Sequence, residues 1–181
     1  MIVRPATGAD TAQIQAIYGH HVSHGLGTFE EVPPSLDDMR GRMSAIQARG
    51  LPYLVAEAED AVLGFAYAGP FRLRAAYRYT AEDSIYIHPD HRGRGVGKVL
   101  LQAVIEACES LGLHQLLAVI GDSANAGSIG VHRSCGFEMV GTTRGLGFKH
   151  DRWVDVVMMQ RALNGGVEAP PEAPGLDLGG V

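Results

Sequence analysis

The chain has 181 residues, of which 46% are hydrophobic and 19% are charged, as in ordinary globular proteins that bury a core of their own. Its formal net charge of −5 argues against nucleic acid or an anionic membrane as a bulk partner. No apolar run approaches the ~20 residues of a membrane span, and no secretory signal is visible, so we expect a cytoplasmic protein.

Two helices are predicted near the start of the chain. After a short strand over residues 1–5, Thr7–Asp10 resembles a capping box, and apolar residues at helical spacing follow it. His20 and His24 stand four residues apart, as metal ligands do on a helix, but neither a carboxylate nor a cysteine accompanies them. We therefore expect no metal there. Ser35 is predicted to cap the second helix.

Two loops offer candidate ligand-binding side chains. Phe29 lies in an otherwise polar loop, where it serves either as an anchor beneath the loop or as a wall of a ligand pocket. After predicted strands over residues 53–58 and 61–68, the segment 71–79 is dense in arginine and tyrosine. This segment is either a solvated connection or a site for a small anion such as a carboxylate, because arginine offers planar, two-pronged donors.

The most informative stretch is a predicted strand over residues 83–88, a glycine-rich turn and a long helix from residue 96. Ile85 and Ile87 supply the period-2 alternation of a half-buried strand. The turn leaves main-chain amides open at the start of a helix, where unpaired donors and the helix dipole favour an anion. Its cationic side chains favour a phosphate. The glycines and cations of the turn are Gly93, Gly95 and Gly97, with Arg92, Arg94 and Lys98.

The spacing of these glycines excludes two common nucleotide-binding loops. Arg92 stands where a Walker A loop needs glycine, and Val99 replaces its Ser or Thr. The spacing also differs from the G-x-G-x-x-G pattern of dinucleotide-binding folds. What remains is a phosphate cradle or, as the simpler alternative, a glycine-rich turn with solvent-facing arginines.

The rest of the chain predicts further strands and a tail. Residues 115–120 form an apolar strand, Ser128–Cys135 a short helix, and two strands follow with a loop over residues 145–152 between them. From residue 164 onward the sequence consists largely of glycine, proline and acidic residues. We therefore expect residues 1–163 to form one domain and residues 164–181 a mobile tail that function does not need.

The hexapeptide Arg92–Gly97 resembles the [Q/R]-x-x-G-x-[G/A] loop with which the GNAT acetyltransferase superfamily holds the pyrophosphate of acetyl-CoA. Further blocks resemble the phosphinothricin acetyltransferase subfamily and its relatives that acetylate methionine sulfoximine and methionine sulfone: Ala66–Pro70, Tyr79–Ile87 and Gly147–Trp153. The resemblance covers residues 1–163. It implies the α/β (α+β) GNAT fold, a mixed, mostly antiparallel sheet of about seven strands with about four helices on both faces.

The resemblance also implies which residues bind the ligands. Main-chain groups of the strand should pair with the pantetheine arm, and the turn should hold the pyrophosphate. The implied cofactor-binding residues are Ile85, Tyr86, Ile87, Gly93, Arg94, Gly95, Val96, Gly97, Lys98 and Asn125. The expected substrate pocket includes Phe29 from the first loop and, by the resemblance, Arg72, Ala75, Ala76 and Tyr77.

Two side chains are candidates for the chemistry. Glu82 matches the carboxylate that the family uses as general base, although a charge at a strand end is also common. His132 stands where most of the superfamily has a tyrosine near the thiol, and it either donates a proton to the departing thiolate or only packs. The Ile87 amide is the expected donor to the oxyanion. Cys108 and Cys135 lie in predicted helices without a nucleophile setting, so we expect direct transfer in a ternary complex.

The resemblance, together with these residues, implies an N-acetyltransferase that acts on the α-amine of a small amino acid-like substrate of the phosphinothricin, methionine sulfoximine or methionine sulfone type. Acetyl-CoA is the expected cosubstrate, with no metal. The alternatives are acetylation of another small amine or of a protein N-terminus, and a non-catalytic acyl-CoA sensor. The resemblance further implies a homodimer, with residues 149–153 near the interface.

Overall fold

The structure, a computed structural model, describes residues 1–179. Within that range the chain forms four α-helices and one sheet of seven strands, none of the helices being long and apolar enough to cross a membrane. This confirms the predicted α/β (α+β) fold class. The elements are β1 Ile2–Pro5, α1 Thr11–His24, α2 Leu36–Ala48, β2 Tyr53–Ala58, β3 Ala61–Pro70, β4 Thr80–Ile87, α3 Val96–Ser110, β5 Gln115–Gly121, α4 Ala126–Ser134, β6 Glu138–Lys149 and β7 Arg152–Ala162.

The strands lie in the order β1-β2-β3-β4-β5-β7-β6, and every neighbouring pair is antiparallel except β4 with β5. The parallel pairing of β4 and β5 starts at Thr80 opposite Gln115 and stops at Asp83 opposite Ala118. Both strands continue beyond that point without pairing with each other. One edge of β4 therefore faces a cleft instead of a neighbouring strand.

Apolar side chains cover both faces of the sheet. On one face α3 packs through side chains such as the fully buried Leu100, and on the other α1 and α2 pack through side chains such as Ile14. Successive residues of a strand point to opposite faces. Ile85 of β4 accordingly packs on the α3 side, whereas Tyr86 packs on the α1 side.

The final hairpin is longer than predicted. The sequence suggested a loop over residues 145–152, but only His150 and Asp151 separate β6 from β7. Their φ angles of 51° and 56° lie in the left-handed region, which His and Asp adopt more readily than most residues. The register shifts between Thr143 and Gly147, so glycines that indicated a loop lie instead within an irregular strand.

Residues 164–179 lie against the domain, unlike the mobile tail that composition predicted. Leu176 and Leu178 are each 8% exposed and join the core on the α3 side. The Leu176 amide donates a hydrogen bond to the Arg78 carbonyl at 2.8 Å. The difference arises because two leucines among the glycines and prolines supply enough apolar surface to dock the segment. Gly180 and Val181, the end of the predicted tail, lie outside the described residues, and that function does not need the tail stays a prediction.

Replacing Leu176 and Leu178 together by alanine is expected to lower the free energy of unfolding by about 2 kcal/mol, because each change removes a buried apolar side chain. Urea denaturation measures this difference. Val167→Ala, which alters a tail residue that is 88% exposed, is the matched control and should leave the midpoint unchanged. A double variant as stable as the parent would mean that the docked tail contributes nothing to stability.

Candidate active site

A cavity of about 900 Å³ occupies the cleft between β4 and β5. Its walls come from the end of α1 and the loop after it, the second half of β4, the glycine-rich turn, β5 and α4. The structure brings the following sequence-predicted residues together in this wall: Ile85, Tyr86, Ile87, Gly93, Gly95, Val96, Gly97, Lys98, Asn125 and His132. Arg94 and Glu82 are not part of the wall.

The free edge of β4 presents main-chain groups to this cavity. The His88 amide donates to the Leu63 carbonyl at 2.9 Å, in register with the antiparallel pairing of β3 and β4. Because hydrogen-bonded pairs alternate along such a ladder, residues 84 and 86 also bond to β3. The main-chain groups of Ile85 and Ile87 therefore point the other way, into the cleft.

His21, near the end of α1, forms a hydrogen bond with one of these main-chain groups. Its Nε2 lies 2.9 Å from the Ile87 carbonyl, and because a carbonyl only accepts, Nε2 carries the hydrogen. Burial lowers the pKa of His21, which keeps the ring neutral at neutral pH. The groups left open on this edge are the Ile87 amide and both main-chain groups of Ile85, whereas Tyr86 directs its main chain to β3.

The glycine-rich turn follows β4 directly and starts α3. Gly93 and Gly95 have φ angles of 73° and 80°, a left-handed conformation that glycine adopts without strain. In the part of the chain that the structure describes, the amides of Gly93 and of residues 95–98 find no acceptor within the protein. Arg92 and Lys98 line the same wall. Open donors at a helix start, with two cations beside them, suit a phosphate group.

Where β4 and β5 separate lies a buried pair, Asp83 and His132. Their side chains are 1% and 4% exposed, and His132 Nε2 is 2.9 Å from Asp83 Oδ2. His132 Nδ1 is 2.8 Å from the Ser128 carbonyl. Burial alone would lower the pKa of His132, but the hydrogen bond and the charge of Asp83 raise it above its usual value. Both residues line the cavity.

Glu82 lies on the other face of β4. Because side chains alternate along the strand, it shares the face of Tyr86 and α1, opposite to Asp83. Burial, and then the neighbouring charge of Asp83, raise the pKa of Glu82, while the charge of Arg72 lowers it. Glu82 is thus within electrostatic reach of Arg72, and its pKa lies above that of an ordinary glutamate.

The arginine-rich segment between β3 and β4 lies at the surface. The Arg72 guanidinium stacks 5.2 Å from the centre of the Phe71 ring, and that ring meets Tyr77 edge-on at 5.5 Å. Ala75, Ala76 and Tyr77 form a short, exposed 3-10 turn. None of these residues lines the cavity.

Phe29 packs elsewhere, against the β6–β7 hairpin. A side chain at Gly147 would come within 2.3 Å of the Phe29 ring, so the glycine is what lets the ring lie on β6. Next to it the buried Lys149 donates from Nζ to the Thr28 carbonyl at 2.8 Å. The loop after α1 is therefore fastened to the hairpin, and Phe29 does not line the cavity.

Asn125 joins β5 to α4. Its Oδ1 accepts from the Ser128 amide at 3.1 Å and caps the helix, while its Nδ2 donates to the Gly121 carbonyl at 3.5 Å.

The rings of His20 and His24 stack 4.7 Å apart. Across residues 1–179, no three or more His, Cys, Asp or Glu side chains converge as metal ligands would.

The sequence alone did not single out Asp83 and His21. A signal existed for Asp83, because strand alternation puts position 83 on the buried face with Ile85, where a carboxylate needs a partner. That partner, His132, is 49 positions away along the chain, and only the fold brings it near. For His21 we find no signal, since its contact depends on how α1 crosses the end of β4.

Comparison with known proteins fits this geometry. The model of the acetyltransferase (GNAT) family matches residues 20–137. The chain is 49% identical to the phosphinothricin N-acetyltransferase of Alcaligenes faecalis, over 94% of this chain and 86% of that protein. It is 40% identical to the L-methionine sulfoximine/L-methionine sulfone acetyltransferase of Pseudomonas aeruginosa, over 93% and 98%. The structure of a GNAT superfamily phosphinothricin acetyltransferase from Sinorhizobium meliloti with acetyl-CoA superposes with a TM-score of 0.91 at 46% identity, covering 94% of this chain and 92% of that one.

The cations of the turn are expected to contribute unequally to the affinity for acetyl-CoA. Lys98→Ala should raise the dissociation constant about tenfold, because it removes a charge-assisted contact from the cavity wall. Arg94→Ala is the matched control: it removes a cation of the same turn that does not line the cavity, and it should change affinity little. Isothermal titration calorimetry measures both. Equal weakening by the two variants would mean that the cavity wall does not identify the phosphate contacts.

Proposed function

The chain belongs to the acetyltransferase (GNAT) family, and we propose that it acetylates the α-amine of a small amino acid-like substrate of the phosphinothricin, methionine sulfoximine or methionine sulfone type. It is an N-acetyltransferase that takes its acetyl group from acetyl-CoA. The observation that carries the proposal is the open edge of β4, which starts beside the glycine-rich turn and ends at Asp83, the residue after Glu82.

The cofactor arm pairs with β4 as an added strand. Its amide groups meet the open main-chain groups of Ile85 and Ile87, which gives affinity without side-chain contacts. The sequence suggested the Ile87 amide as donor to the oxyanion. We assign that role to the Ile85 amide, because it is the open amide nearer to Glu82 and Asp83, where the amine must arrive.

Glu82 acts as the general base in this proposal. An ammonium cannot attack a thioester, so the substrate must first lose a proton. An ordinary glutamate is a weak base at neutral pH, and the burial that raises the pKa of Glu82 brings it closer to the working range. Because the base must be ionised, activity should fall as the pH drops through this raised pKa.

Arg72 is the side chain best suited to the substrate's carboxylate. Its charge already acts on Glu82, so both groups can engage one α-amino acid, Arg72 at the carboxylate and Glu82 at the amine. Stacking on Phe71 orients the guanidinium. Tyr77 packs on the other side of Phe71 and completes this surface. A cationic substrate such as a polyamine would be repelled by the same arginine.

The acetyl group passes directly from CoA to the amine. An acyl-enzyme would need a nucleophile in the cavity, and neither Cys108 nor Cys135 lines it. Burial raises the pKa of the Cys108 thiol to about 12, so this thiol is not ionised at neutral pH. Both substrates are therefore bound together when the bond forms.

The protein also forms a homodimer in this proposal, through a surface that we call the hairpin patch: Phe29, Leu146, Phe148 and Trp153. All are exposed, with Trp153 at 70%, and the Phe148 and Trp153 rings pack 5.3 Å apart. Apart from Phe29, which packs against it, the patch lies on the β6–β7 hairpin, whose outer strand is an open edge of the sheet. An apolar surface beside an unpaired strand edge is what a second copy of the chain would cover.

Acetyl-CoA-dependent thiol release should be seen with phosphinothricin, methionine sulfoximine or methionine sulfone, and Glu82→Gln should reduce kcat at least about 100-fold, since general base catalysis contributes that much. The dissociation constant of acetyl-CoA should not change. Glu106→Gln, an exposed glutamate on α3, is the control and should keep full activity. No thiol release with these compounds or with ordinary amino acids would refute the substrate class, and equal loss of turnover and affinity would indicate a structural role for Glu82.

Trp153→Arg is expected to convert a dimer into a monomer, because it places a charge in the centre of the hairpin patch. Sedimentation velocity at several protein concentrations measures the change. Val167→Arg introduces the same charge at an exposed tail position and should leave the dimer intact. A parent protein that sediments as a monomer at all concentrations would rule out the patch as an interface.

A further inference from the structure

We propose that Asp83 is a second acid–base group of the reaction, which carries the second proton of the amine to the sulfur of CoA, and that His132 is the positioning residue that orients Asp83. This inference rests on the proposed function, because it adds a step to acetyl transfer between acetyl-CoA and an amine.

The hydrogen bonds of His132 show that the pair holds one shared proton. The Ser128 carbonyl, 2.8 Å from Nδ1, only accepts, so Nδ1 must carry a hydrogen. Nε2 lies 2.9 Å from Asp83 Oδ2, and a proton must lie between them too, since two lone pairs would repel. Both ring nitrogens are thus engaged within the protein. His132 has no free N–H for a leaving thiolate, and its protonated ring is instead a fixed partner for the carboxylate.

The other oxygen of Asp83 has no such partner. Oδ1 is buried and makes no hydrogen bond within the part of the chain that the structure describes. A buried carboxylate oxygen without a partner costs stability, and it persists where a ligand or a reaction uses it. Asp83 lines the cavity, so a bound molecule can supply the missing contact.

Asp83 also lies where the thioester of a cofactor bound along β4 is expected. It is the last residue of β4 that pairs with β5, so it marks the closed end of the cleft. From Ile87, beside the phosphate-binding turn, to Asp83 the strand spans four residues at about 3.3 Å each, which is about 13 Å. A cofactor arm held along β4 therefore runs from the turn toward Asp83, and its thioester lies at the far end.

The proton balance of the reaction requires a second proton acceptor, and we assign this role to Asp83 Oδ1. Glu82 takes the first proton from the ammonium, and the free amine attacks the thioester carbon to form the C–N bond. The nitrogen is now positively charged, and Asp83 Oδ1 accepts its second proton. The C–S bond breaks with its electron pair on sulfur, and the proton passes from Oδ1 to the thiolate. Asp83 is ionised again, and only the proton on Glu82 remains for solvent.

The surroundings of the pair favour this cycle. A carboxylic acid readily gives its proton to a thiolate, whose own pKa is about 8.5. The titratable groups near Asp83 are Glu82 on the same strand, His132 on α4 and the Cys108 thiol on α3, whose raised pKa keeps it neutral. β5 contributes Ala118 opposite Asp83 and adds no charge. The protonated His132 is thus the cation that lies next to Asp83.

Asp83→Asn tests the inference with little change of shape. The amide nitrogen can donate to His132 Nε2 while its oxygen takes the place of Oδ1, so the fold and the contacts to acetyl-CoA should survive but proton transfer should not. We expect kcat to fall about 100-fold while the acetyl-CoA dissociation constant and the KM of the amine stay within about twofold. An unchanged kcat, or an equal loss of affinity and turnover, would overturn the proposal.

A second readout does not depend on turnover. In 15N-histidine NMR spectra, the His132 resonances are those that disappear in His132→Gln. They should show a protonated ring at pH 7 in the parent protein and a neutral ring in Asp83→Asn. If the parent releases no thiol with any amine, the proposed function fails, whereas a neutral His132 in the parent would overturn the shared-proton pair by itself. His132→Gln should also lower kcat while the acetyl-CoA dissociation constant stays within about twofold, since Asp83 Oδ2 loses the partner that orients it. An unchanged kcat in His132→Gln would contradict the role given to His132.

Discussion

The structure depends on one interruption in its sheet. β4 and β5 pair as far as Asp83 and then part, so that the amides and carbonyls of one strand edge lose their partners. Unpaired main-chain groups inside a protein must be satisfied by something. One is satisfied by His21, and the others face a cavity that begins at the glycine-rich turn. A ligand with amide groups and a phosphate end would suit both the open strand edge and the open amides of that turn.

Two carboxylates, Glu82 and Asp83, lie where the pairing of β4 and β5 ends. Glu82 and Asp83 are neighbours in sequence, yet strand alternation sends them to opposite sides of β4. One carboxylate lies within electrostatic reach of Arg72, and the other hydrogen-bonds with His132. Two carboxylates this close repel each other, and a separate cation near each one offsets that repulsion. In our proposal this single strand supplies two acid–base groups with different surroundings.

Much of the fold and part of the candidate site could be predicted from the sequence, and the remaining contacts could not, for physical reasons. Glycine spacing, strand alternation and helical periodicity are local signals, so the turn at Gly93–Lys98 and the fold class were within reach. The pairing of Asp83 with His132 and the docking of Leu176 depend on contacts between distant parts of the chain, which local patterns do not encode. The hairpin turn at His150 and Asp151 was misread because the irregular strand before it carries glycines that also mark loops.

The unpaired edge of β4 has a consequence for the lifetime of the protein. A molecule that binds only the folded chain stabilises it, by about 2.7 kcal/mol when its concentration is a hundred times its dissociation constant. In our proposal acetyl-CoA fills a gap in the sheet, and the empty enzyme is then the form more exposed to proteases. Starvation that drains the acetyl-CoA pool would therefore lower the abundance of the enzyme as well as its rate, and would link metabolic state to protein turnover without any dedicated regulator.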